Sequence, residues 1–321
     1  MAKTKFCAGL SDISDSYMGC LIEGWGVLHD GEDAFEGTVD TLKEFNKRQK
    51  QIIILTNEPI RADDYKVKLK KMGIGPSLYN HIVTPYEMIY QGLANQGLNT
   101  DSELSKESDD IFRDIGERCY VIGRKGQESF LEDSDIEFVD DIENAQFVLI
   151  LGMDYPRKTL EQYEPIIRRA IQLRLRAICA APDSQSLIGM NFMTGPSLIA
   201  QRYEEAGGIV HKIGKPYPLI FKYCIELLRA ADVYPSHTVM LGDTMAHDII
   251  GASSMQIDTC LFKSGLHAAN FMHCQTPKEV DNTLKNLIQQ YNNVMPLYLV
   301  DEMQWGNVLP DRKHKRRKNP R

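Results

Sequence analysis

The amino-acid sequence predicts an α/β protein built on a doubly wound, Rossmann-like parallel sheet. Three observations favour this fold. Short apolar runs, such as residues 52–55 and 239–241, are continuous rather than alternating, as in strands that helices cover on both faces. Amphipathic stretches of helical length separate these runs. Several runs also end directly in a polar residue, as in Ile22-Glu23, and ligands of open parallel sheets bind beyond the carboxyl ends of the strands.

The N-terminal part of the chain predicts the first half of this sheet. Gly73 ends the second of its two helices, because glycine is favoured just past a helix C terminus. The expected elements are a strand that ends at Glu23, a helix at 38–48, a strand at 51–55, a helix at 61–72 and a strand at 81–84. Residues 100–110 are polar and acidic, which predicts a surface loop or an inserted linker.

The rest of the chain predicts a second set of strands and helices, followed by a return to the first pattern. The second set consists of strands at 119–123, 147–151 and 177–180 with helices at 160–173 and 198–206. Apolar runs at 238–241 and 259–262, with helices at 219–230 and 246–253, repeat the first pattern. We interpret the middle of the chain as a domain inserted between two halves of one core.

The composition is that of a globular protein with a basic C terminus. Of the 321 residues, 43% are apolar and 25% are charged, and the formal net charge is −7. Residues 311–321 contain seven Lys and Arg residues against one Asp, so the remainder is more acidic than the total and has no general affinity for polyanions. We expect residues 312–321 to be disordered on their own and to offer a contact for nucleic acid or an acidic partner.

The sequence favours a cytoplasmic protein without membrane contact. It has no apolar stretch of about 18 residues or more, the length that a membrane span needs. Residues 1–5 are followed by Asp12 and Asp15 rather than by the apolar segment of a signal peptide. The seven cysteines are scattered and form no Cys-X-X-Cys pair, which favours reduced, buried thiols over disulfides or a metal cluster.

Four reactive positions follow predicted strands or begin the helices after them. They are Glu23, the pair Thr56-Asn57, Lys215 within Gly-Lys-Pro, and the segment 242–248 that begins Gly-Asp-Thr. Because carboxyl ends of parallel strands lie at one edge of a sheet, we expect these groups to converge. Two carboxylates, a hydroxyl and an ammonium group suit Mg²⁺ and a phosphate group together.

This ordered set of motifs resembles the haloacid dehalogenase (HAD) superfamily, and in particular its class IIA branch, over residues 10–270. The motifs are Trp-Gly-Val-Leu-His-Asp-Gly at 25–31, Leu-Thr-Asn at 55–57, Gly-Lys-Pro at 214–216 and Gly-Asp at 242–243 with Asp248. The resemblance implies a Rossmann-like core with an inserted α/β cap of the C2 type. The implied division is core at 1–94, cap at 95–207, core at 208–295 and a C-terminal segment with the basic tail at 296–321.

The resemblance also implies roles for individual residues and a Mg²⁺ cofactor with a small phosphorylated metabolite as ligand. Ala181-Pro182-Asp183 is similar to a cap motif of the family written Asn-Pro-Asp. The implied catalytic residues are Glu23 as nucleophile, Thr56 and Lys215; the implied metal ligands are Glu23, the backbone carbonyl of Trp25, Asp243 and Asp248; the implied substrate contacts are Asn57, Asp183 and Thr244.

The chain departs from the family pattern at two of these positions. The nucleophile of the family is Asp, and a second Asp two residues later protonates the leaving group, whereas this chain has Glu23 and Trp25. One extra methylene moves the carboxylate by more than about 1 Å, and a misplacement of that size can slow a reaction roughly 10²-fold. Whether the protein is an enzyme is therefore open at this point.

Three functional hypotheses follow. The first is a catalytically impaired relative that keeps its magnesium and phosphate pocket and acts as a binding or scaffold protein. The second is a slow Mg²⁺-dependent phosphatase of a sugar or nucleotide phosphate. The third, compatible with both, is attachment to RNA or a ribonucleoprotein through residues 312–321.

Each site residue also has a plainer structural interpretation. Asp243 and Asp248 fit the acidic start of a helix, and Thr56-Asn57 fits a turn that ends a strand. Trp25 fits a packing residue against the core or the cap. The histidines have no metal-ligand spacing, which predicts structural roles for His29, His247 and His267.

Overall fold

The structure is a computed structural model that describes residues 3–98, 103–183, 185–188 and 191–306. Its strands are β1 (Lys5–Phe6), β2 (Gly19–Ile22), β3 (Gln51–Leu55), β4 (His81–Val83), β5 (Arg118–Ile122), β6 (Glu137–Phe138), β7 (Phe147–Ile150), β8 (Arg176–Ala180), β9 (Gln185–Ile188), β10 (Asn191–Thr194), β11 (Ile209–Ile213), β12 (Thr238–Gly242), β13 (Asp258–Phe262) and β14 (Tyr298–Val300).

Its α-helices are α1 (Ser11–Ser14), α2 (Thr38–Lys47), α3 (Ala62–Lys71), α4 (Pro85–Ala94), α5 (Glu103–Phe112), α6 (Glu164–Gln172), α7 (Ser197–Glu205), α8 (Pro218–Arg229), α9 (Ile250–Ser254), α10 (Ala268–Phe271) and α11 (Pro277–Gln290). A π-helical turn, Met245–Ile249, leads directly into α9.

Two parallel sheets confirm the predicted fold class. The larger sheet has seven strands in the order β1-β14-β13-β12-β2-β3-β4, and every neighbouring pair is parallel. The smaller sheet has five strands in the order β11-β8-β7-β5-β6, again all parallel. Strands β9 and β10 form a separate antiparallel hairpin.

The order of strands in the larger sheet reverses between β2 and β12. From β2 the chain proceeds to β3 and β4 on one side, whereas β12 is followed by β13 and β14 on the other. The backbone N–H of Glu23 donates to the carbonyl of Leu241 at 2.9 Å, so the pairing of the two strands extends to the end of β2. In doubly wound sheets, the crevice at such a reversal is the usual ligand site.

Side chains from the two faces of the larger sheet pack into two separate hydrophobic clusters. Leu21 and Ile53 point to the face that α4 and α8 cover, whereas Ile22 and Ile54 point to the face that includes Phe45 of α2. All four strand side chains are fully buried. This burial on both faces explains why the strands read as continuous apolar runs in the sequence.

Helix α4 joins the two sheets. Its buried side chains, among them Tyr86 and Ile89, belong to the same hydrophobic cluster as Leu55 of β3 and Ile178 of β8. The helix contacts both β8 and β11 of the smaller sheet. The two sheets are therefore in contact through a shared apolar cluster and not only through a linker.

Two strands pair outside the segment to which the expected domain boundaries assign them. Strand β11 lies in the smaller sheet, paired with β8 from Ile209 to Ile213, although it falls within the segment 208–295 assigned to the core. Strand β14 lies in the larger sheet, paired with β13, although it falls within the C-terminal segment. The boundaries themselves stay predictions.

The predicted polar loop at 100–110 is wrong for most of its length, because α5 begins at Glu103. Buried Leu104, Ser108, Ile111 and Phe112 lie on one face at helical spacing. Two of these four residues follow the acidic segment, so the segment alone did not reveal the pattern. Residues 312–321 lie outside the described residues, and their disorder and their partner stay predictions.

The cysteines agree with the sequence analysis. All seven are free, and five of them are buried. Among the described residues, no helix is both long enough and apolar enough to cross a membrane.

Candidate active site

Glu23 lies where β2 ends and is 7% exposed. Its Oε1 accepts a hydrogen bond from the backbone N–H of Gly24 at 2.7 Å, and its Oε2 forms an ion pair with Lys215 Nζ. The turn that follows is closely packed, because a Cβ atom at Gly24 would overlap the hydroxyl of Tyr65. The carboxylate therefore has a fixed position, with both oxygens engaged.

Lys215 lies in the connection between β11 and α8, and its side chain is 1% exposed. Its ammonium group contacts Glu23 and also donates to Asp248 Oδ1 at 2.6 Å. The side chain of Asn57 holds the backbone of Lys215 from both sides: Asn57 Oδ1 accepts from Lys215 N at 2.8 Å, and Asn57 Nδ2 donates to Lys215 O at 2.9 Å. An ammonium group has three N–H donors, so one donor remains beside the contacts with these two carboxylates.

Asp248 lies in the π-helical turn after β12, and its second oxygen is also fully engaged. Asp248 Oδ2 accepts from the backbone N–H groups of Asp243 and Thr244 at 3.1 and 2.9 Å, and from Thr244 Oγ1 at 2.8 Å. With Lys215 on Oδ1, this carboxylate has four donors. The arrangement favours Asp248 as the group that positions Lys215 and the 243–244 turn.

Asp243 is equally buried but has a free oxygen. Asp243 Oδ2 accepts from the backbone N–H of Leu266 at 2.7 Å, whereas the buried Oδ1 has no hydrogen-bond partner among the described residues. Burial first and the charge of Asp248 second raise the pKa of Asp243 to about 7. Gly26 and Gly265 lie against this carboxylate, and a Cβ atom on either would overlap it.

Asp183 follows β8 of the smaller sheet and extends the site in that direction. Its Oδ1 accepts from Asn57 Nδ2 at 2.7 Å and lies 3.4 Å from His247 Nε2. Burial raises the pKa of Asp183 to about 7, although the hydrogen bond from Asn57 opposes this effect. Burial lowers the pKa of His247.

The other two histidines have the structural contacts that the sequence analysis expected. His29 is fully buried; its Nδ1 accepts from the backbone N–H of Gly31 at 3.0 Å, and its Nε2 lies 2.7 Å from the Tyr65 hydroxyl. Burial lowers its pKa to about 4. His267 Nε2 accepts from the backbone N–H of Met245 at 3.2 Å.

One cavity of about 710 Å³ brings most of the predicted site residues together. It is lined by Glu23, Trp25, Thr56, Asn57, Lys215, Asp243 and Thr244. Asp248 and Asp183 adjoin it through the hydrogen bonds described above. The functional roles of these residues stay predictions.

The oxygen atoms around Asp243 fit a magnesium ion. Asp243 Oδ1 is a buried hard donor without a partner among the described residues, and Gly26 lies beside Oδ2 of the same carboxylate. Within the described ranges, no group of three or more His, Cys, Asp and Glu side chains is arranged to hold a metal. Mg²⁺ does not require such a group, since it usually keeps several waters and binds through one or two carboxylates and the phosphate of a substrate.

Sequence reasoning missed the side of the cavity formed by residues of the 126–131 segment and by Arg61. Gln127 and Phe130 line the cavity together with Arg61, although they lie far from every motif along the chain. The glycine at position 126 was a weak sequence signal for a turn. In the structure its φ is +92°, and the segment begins at this turn.

The fold and this site define a class of protein: a doubly wound α/β protein with a buried carboxylate and lysine site where its strand order reverses. A family model described as haloacid dehalogenase-like hydrolase matches residues 20–137, and a second HAD-like hydrolase model matches residues 212–287. The chain belongs to this haloacid dehalogenase-like family.

Two relatives of known activity are similar to most of the chain. A 5′-nucleotidase of Bacillus subtilis is 24% identical over 253 residues, which cover 78% of this chain and 89% of that protein. A dihydroxyacetone phosphatase of Corynebacterium glutamicum is 26% identical over 247 residues, which cover 75% of this chain and 79% of that protein. These two relatives have different substrates and similar sequence identity to this chain.

Solved structures show the same fold. A haloacid dehalogenase-like hydrolase from Brucella suis superimposes with a TM-score of 0.68 at 21% identity, covering 91% of this chain and 97% of that one. A glycerol phosphate phosphatase from Mycobacterium tuberculosis, in complex with magnesium, superimposes with a TM-score of 0.60 at 17% identity and covers 94% of this chain and 78% of that one.

Proposed function

We propose that the protein binds Mg²⁺ and a small phosphorylated metabolite in the cavity beside Glu23, and that phosphoryl transfer to Glu23 is strongly impaired. The observation that carries the proposal is the contrast between two carboxylates. Both oxygens of Glu23 are engaged, by Gly24 N–H and Lys215, whereas Asp243 keeps one buried oxygen that no described residue contacts with a hydrogen bond.

The contacts of Glu23 oppose its action as a nucleophile. Each carboxylate oxygen keeps a further lone pair, but the ion pair with Lys215 fixes the direction of Glu23 Oε2 and withdraws negative charge from it. Lys215 is buried, and the attraction between buried opposite charges is strong. The additional methylene of Glu lets the carboxylate reach Lys215 directly, which favours binding over transfer.

The same contacts support phosphate binding. The ammonium group of Lys215 and the hydroxyl of Thr56 provide positive charge and hydrogen-bond donors at one end of the cavity. Asp243, with the backbone carbonyl of Trp25 and Glu23, would hold the Mg²⁺. The ion, when bound, neutralises the negative charge of the phosphate oxygens.

The test of this proposal is Glu23→Asp. We expect the Mg²⁺-dependent hydrolysis of an aryl phosphate to rise roughly 10²-fold, because the shorter side chain restores the reach of the family nucleophile. Glu44→Asp is the matched control, since Glu44 forms surface ion pairs with Lys47 and Arg48. Equal and fast hydrolysis by wild type and Glu23→Asp would reject the proposal.

A second candidate function is a slow phosphatase, which the two phosphatases among the relatives favour. In this case wild type itself releases phosphate with Mg²⁺, and both Asp243→Asn and Lys215→Ala abolish the release. Circular dichroism of both variants checks that they are folded. Release that survives both substitutions in folded protein would identify a contaminating enzyme and reject this candidate.

A further inference from the structure

The cavity extends well beyond the phosphate-binding end. Its volume of about 710 Å³ is in the range of pockets that enclose whole small molecules, whereas a phosphate group alone needs much less space. The additional space is bounded by Ile60 and Arg61, which directly precede α3, and by Gln127 and Phe130 of the 126–131 segment. The part of a ligand that carries the phosphate would lie here.

Phe130 forms a rigid aromatic wall in this space. Its ring packs on Tyr86, with centroids 4.1 Å apart and planes tilted by 31°. Tyr86 is 3% exposed, whereas Phe130 is half-buried and lines the cavity. Phe130 therefore has buried support from Tyr86 and remains in contact with the open space.

Arg61 fixes the backbone of Phe130. Arg61 Nη1 donates to the carbonyl of Phe130 at 3.1 Å, and Arg61 Nε donates to Glu87 Oε2 at 2.7 Å. The guanidinium group also lies 3.4 Å from the ring centroid of Tyr90. Since Arg61 is held by Glu87 and Tyr90, the wall is preorganised, which reduces the entropy lost when a ligand binds.

The charges around this space disfavour a second phosphate group. Each cation of the lining is already paired with a carboxylate: Arg61 with Glu87, Lys68 with Glu58, and Lys215 with Glu23 and Asp248. In the described part of the chain, four lining carboxylates form no ion pair with a cation: Asp30, Glu32 and Asp64, and Asp243 at the phosphate-binding end. A ligand with one phosphate and an uncharged remainder fits best.

We propose that Phe130, supported by Tyr86 and Arg61, is the stacking wall of a leaving-group subsite, and that the preferred ligands are nucleoside monophosphates. A nucleobase offers a planar face for Phe130 and adds no negative charge, and stacking of a base on an aromatic side chain is effective without base-specific hydrogen bonds. This inference rests on the proposed phosphate-binding function.

Titration calorimetry of the full chain with Mg²⁺ tests the subsite. The probes are inorganic phosphate, adenosine 5′-monophosphate and adenosine 5′-diphosphate. We expect the monophosphate to bind roughly tenfold more tightly than phosphate, and the diphosphate to bind no more tightly than the monophosphate. Phe130→Ala should reduce the affinity ratio of monophosphate to phosphate to about one, since stacking contributes roughly this factor.

Two further variants isolate the contribution of the stacking wall, one as a matched control and one as a second test. Phe138 lies on strand β6 of the smaller sheet, is 37% exposed and does not line the cavity. Phe138→Ala should therefore keep the wild-type ratio. Arg61→Lys keeps the positive charge but loses the fork that reaches Phe130 and Glu87, so it should lower the ratio while Phe138→Ala does not.

The outcomes separate this inference from the proposed function. If wild type does not bind inorganic phosphate, the proposed function itself fails. If phosphate binds but the monophosphate binds no better, or if Phe130→Ala retains the tenfold ratio, only the stacking subsite is rejected. Tighter binding of the diphosphate would reject the preference for a single phosphate.

Discussion

The ends of strands β2 and β12 are neighbours in the sheet, and both carry buried acidic side chains, but their carboxylates are used differently. At the end of β2, Glu23 is bound by Lys215 and by its own turn. After β12, the part of the chain that the structure describes provides four donors to Asp248 but one to Asp243, whose Oδ1 it leaves unpartnered. Burial alone therefore does not define the role of a carboxylate here; the number of its donors does.

This difference divides the site into a structural part and an open part. Lys215 joins Glu23 and Asp248 into one buried, ion-paired group. Asp243 packs against Gly26 and Gly265, and burial and the charge of Asp248 disfavour its ionised form. A cation bound to Asp243 would offset this cost and stabilise the folded protein. Substitutions at the three carboxylates should therefore change the free energy of unfolding in different directions.

The largest effect is expected for Asp248→Asn. An Asn side chain has one acceptor and one donor group, so either orientation points an NH₂ group at Lys215 or at the donors of the 243–244 turn. We expect the free energy of unfolding to fall by about 3 kcal/mol, because a buried charged hydrogen-bond network loses a partner. Urea unfolding at pH 7.5 measures it.

The control for this prediction is Asp133→Asn, at an exposed residue, which should leave stability unchanged. Wild-type stability of Asp248→Asn would show that Lys215 does not depend on Asp248. The assignment of Asp248 as a positioning residue would then be wrong.

Asp243→Asn should instead raise the free energy of unfolding when no metal is bound. The pKa of Asp243 is raised to about 7, above its unfolded value near 3.8, so the folded state holds the extra proton between these values. Wild-type stability therefore falls as pH rises through this window, and the penalty is complete above pH 7. At pH 8 the variant should be more stable by about 1 to 2 kcal/mol.

Magnesium should reverse this order. Saturating Mg²⁺ stabilises wild type by binding to the folded state, but it should not stabilise Asp243→Asn. The measurement is urea unfolding at pH 5 and pH 8, with and without Mg²⁺. A variant less stable than wild type at pH 8 without Mg²⁺ would show that the free oxygen of Asp243 has a protein partner.

Much of the fold was predictable because its central strands are covered on both faces. Strands β3 and β12 appear in the sequence as continuous apolar runs, and their ends were placed to within one residue. Strand β1 has two residues and β14 has three, too few for any pattern. Strand β11 contains His211 and Lys212, which interrupt its apolar run, so the sequence did not indicate a buried strand there.

The chemistry of the site was predictable from strand ends, but its division of roles was not. Parallel strands bring Glu23, Asn57 and Asp243 to one edge whatever the details of packing. The difference between Asp243 and Asp248 depends on side-chain direction within one π-helical turn, which sequence spacing does not encode. The Arg61 contact is to a backbone carbonyl 69 residues away, and it has no sequence signature.

The smallest effect, and the finest test of the comparison, is expected at Thr244. The sequence analysis predicted a substrate contact, but the hydroxyl donates to Asp248 Oδ2 at 2.8 Å. Thr244→Val removes this hydrogen bond while two backbone donors to the same oxygen remain, so the free energy of unfolding should fall by about 1 kcal/mol. Thr244→Ser keeps the hydroxyl and should retain wild-type stability. A loss of phosphate affinity in Thr244→Val without a change in stability would instead make Thr244 a ligand contact, and Asp248 would then depend on backbone donors and Lys215 alone.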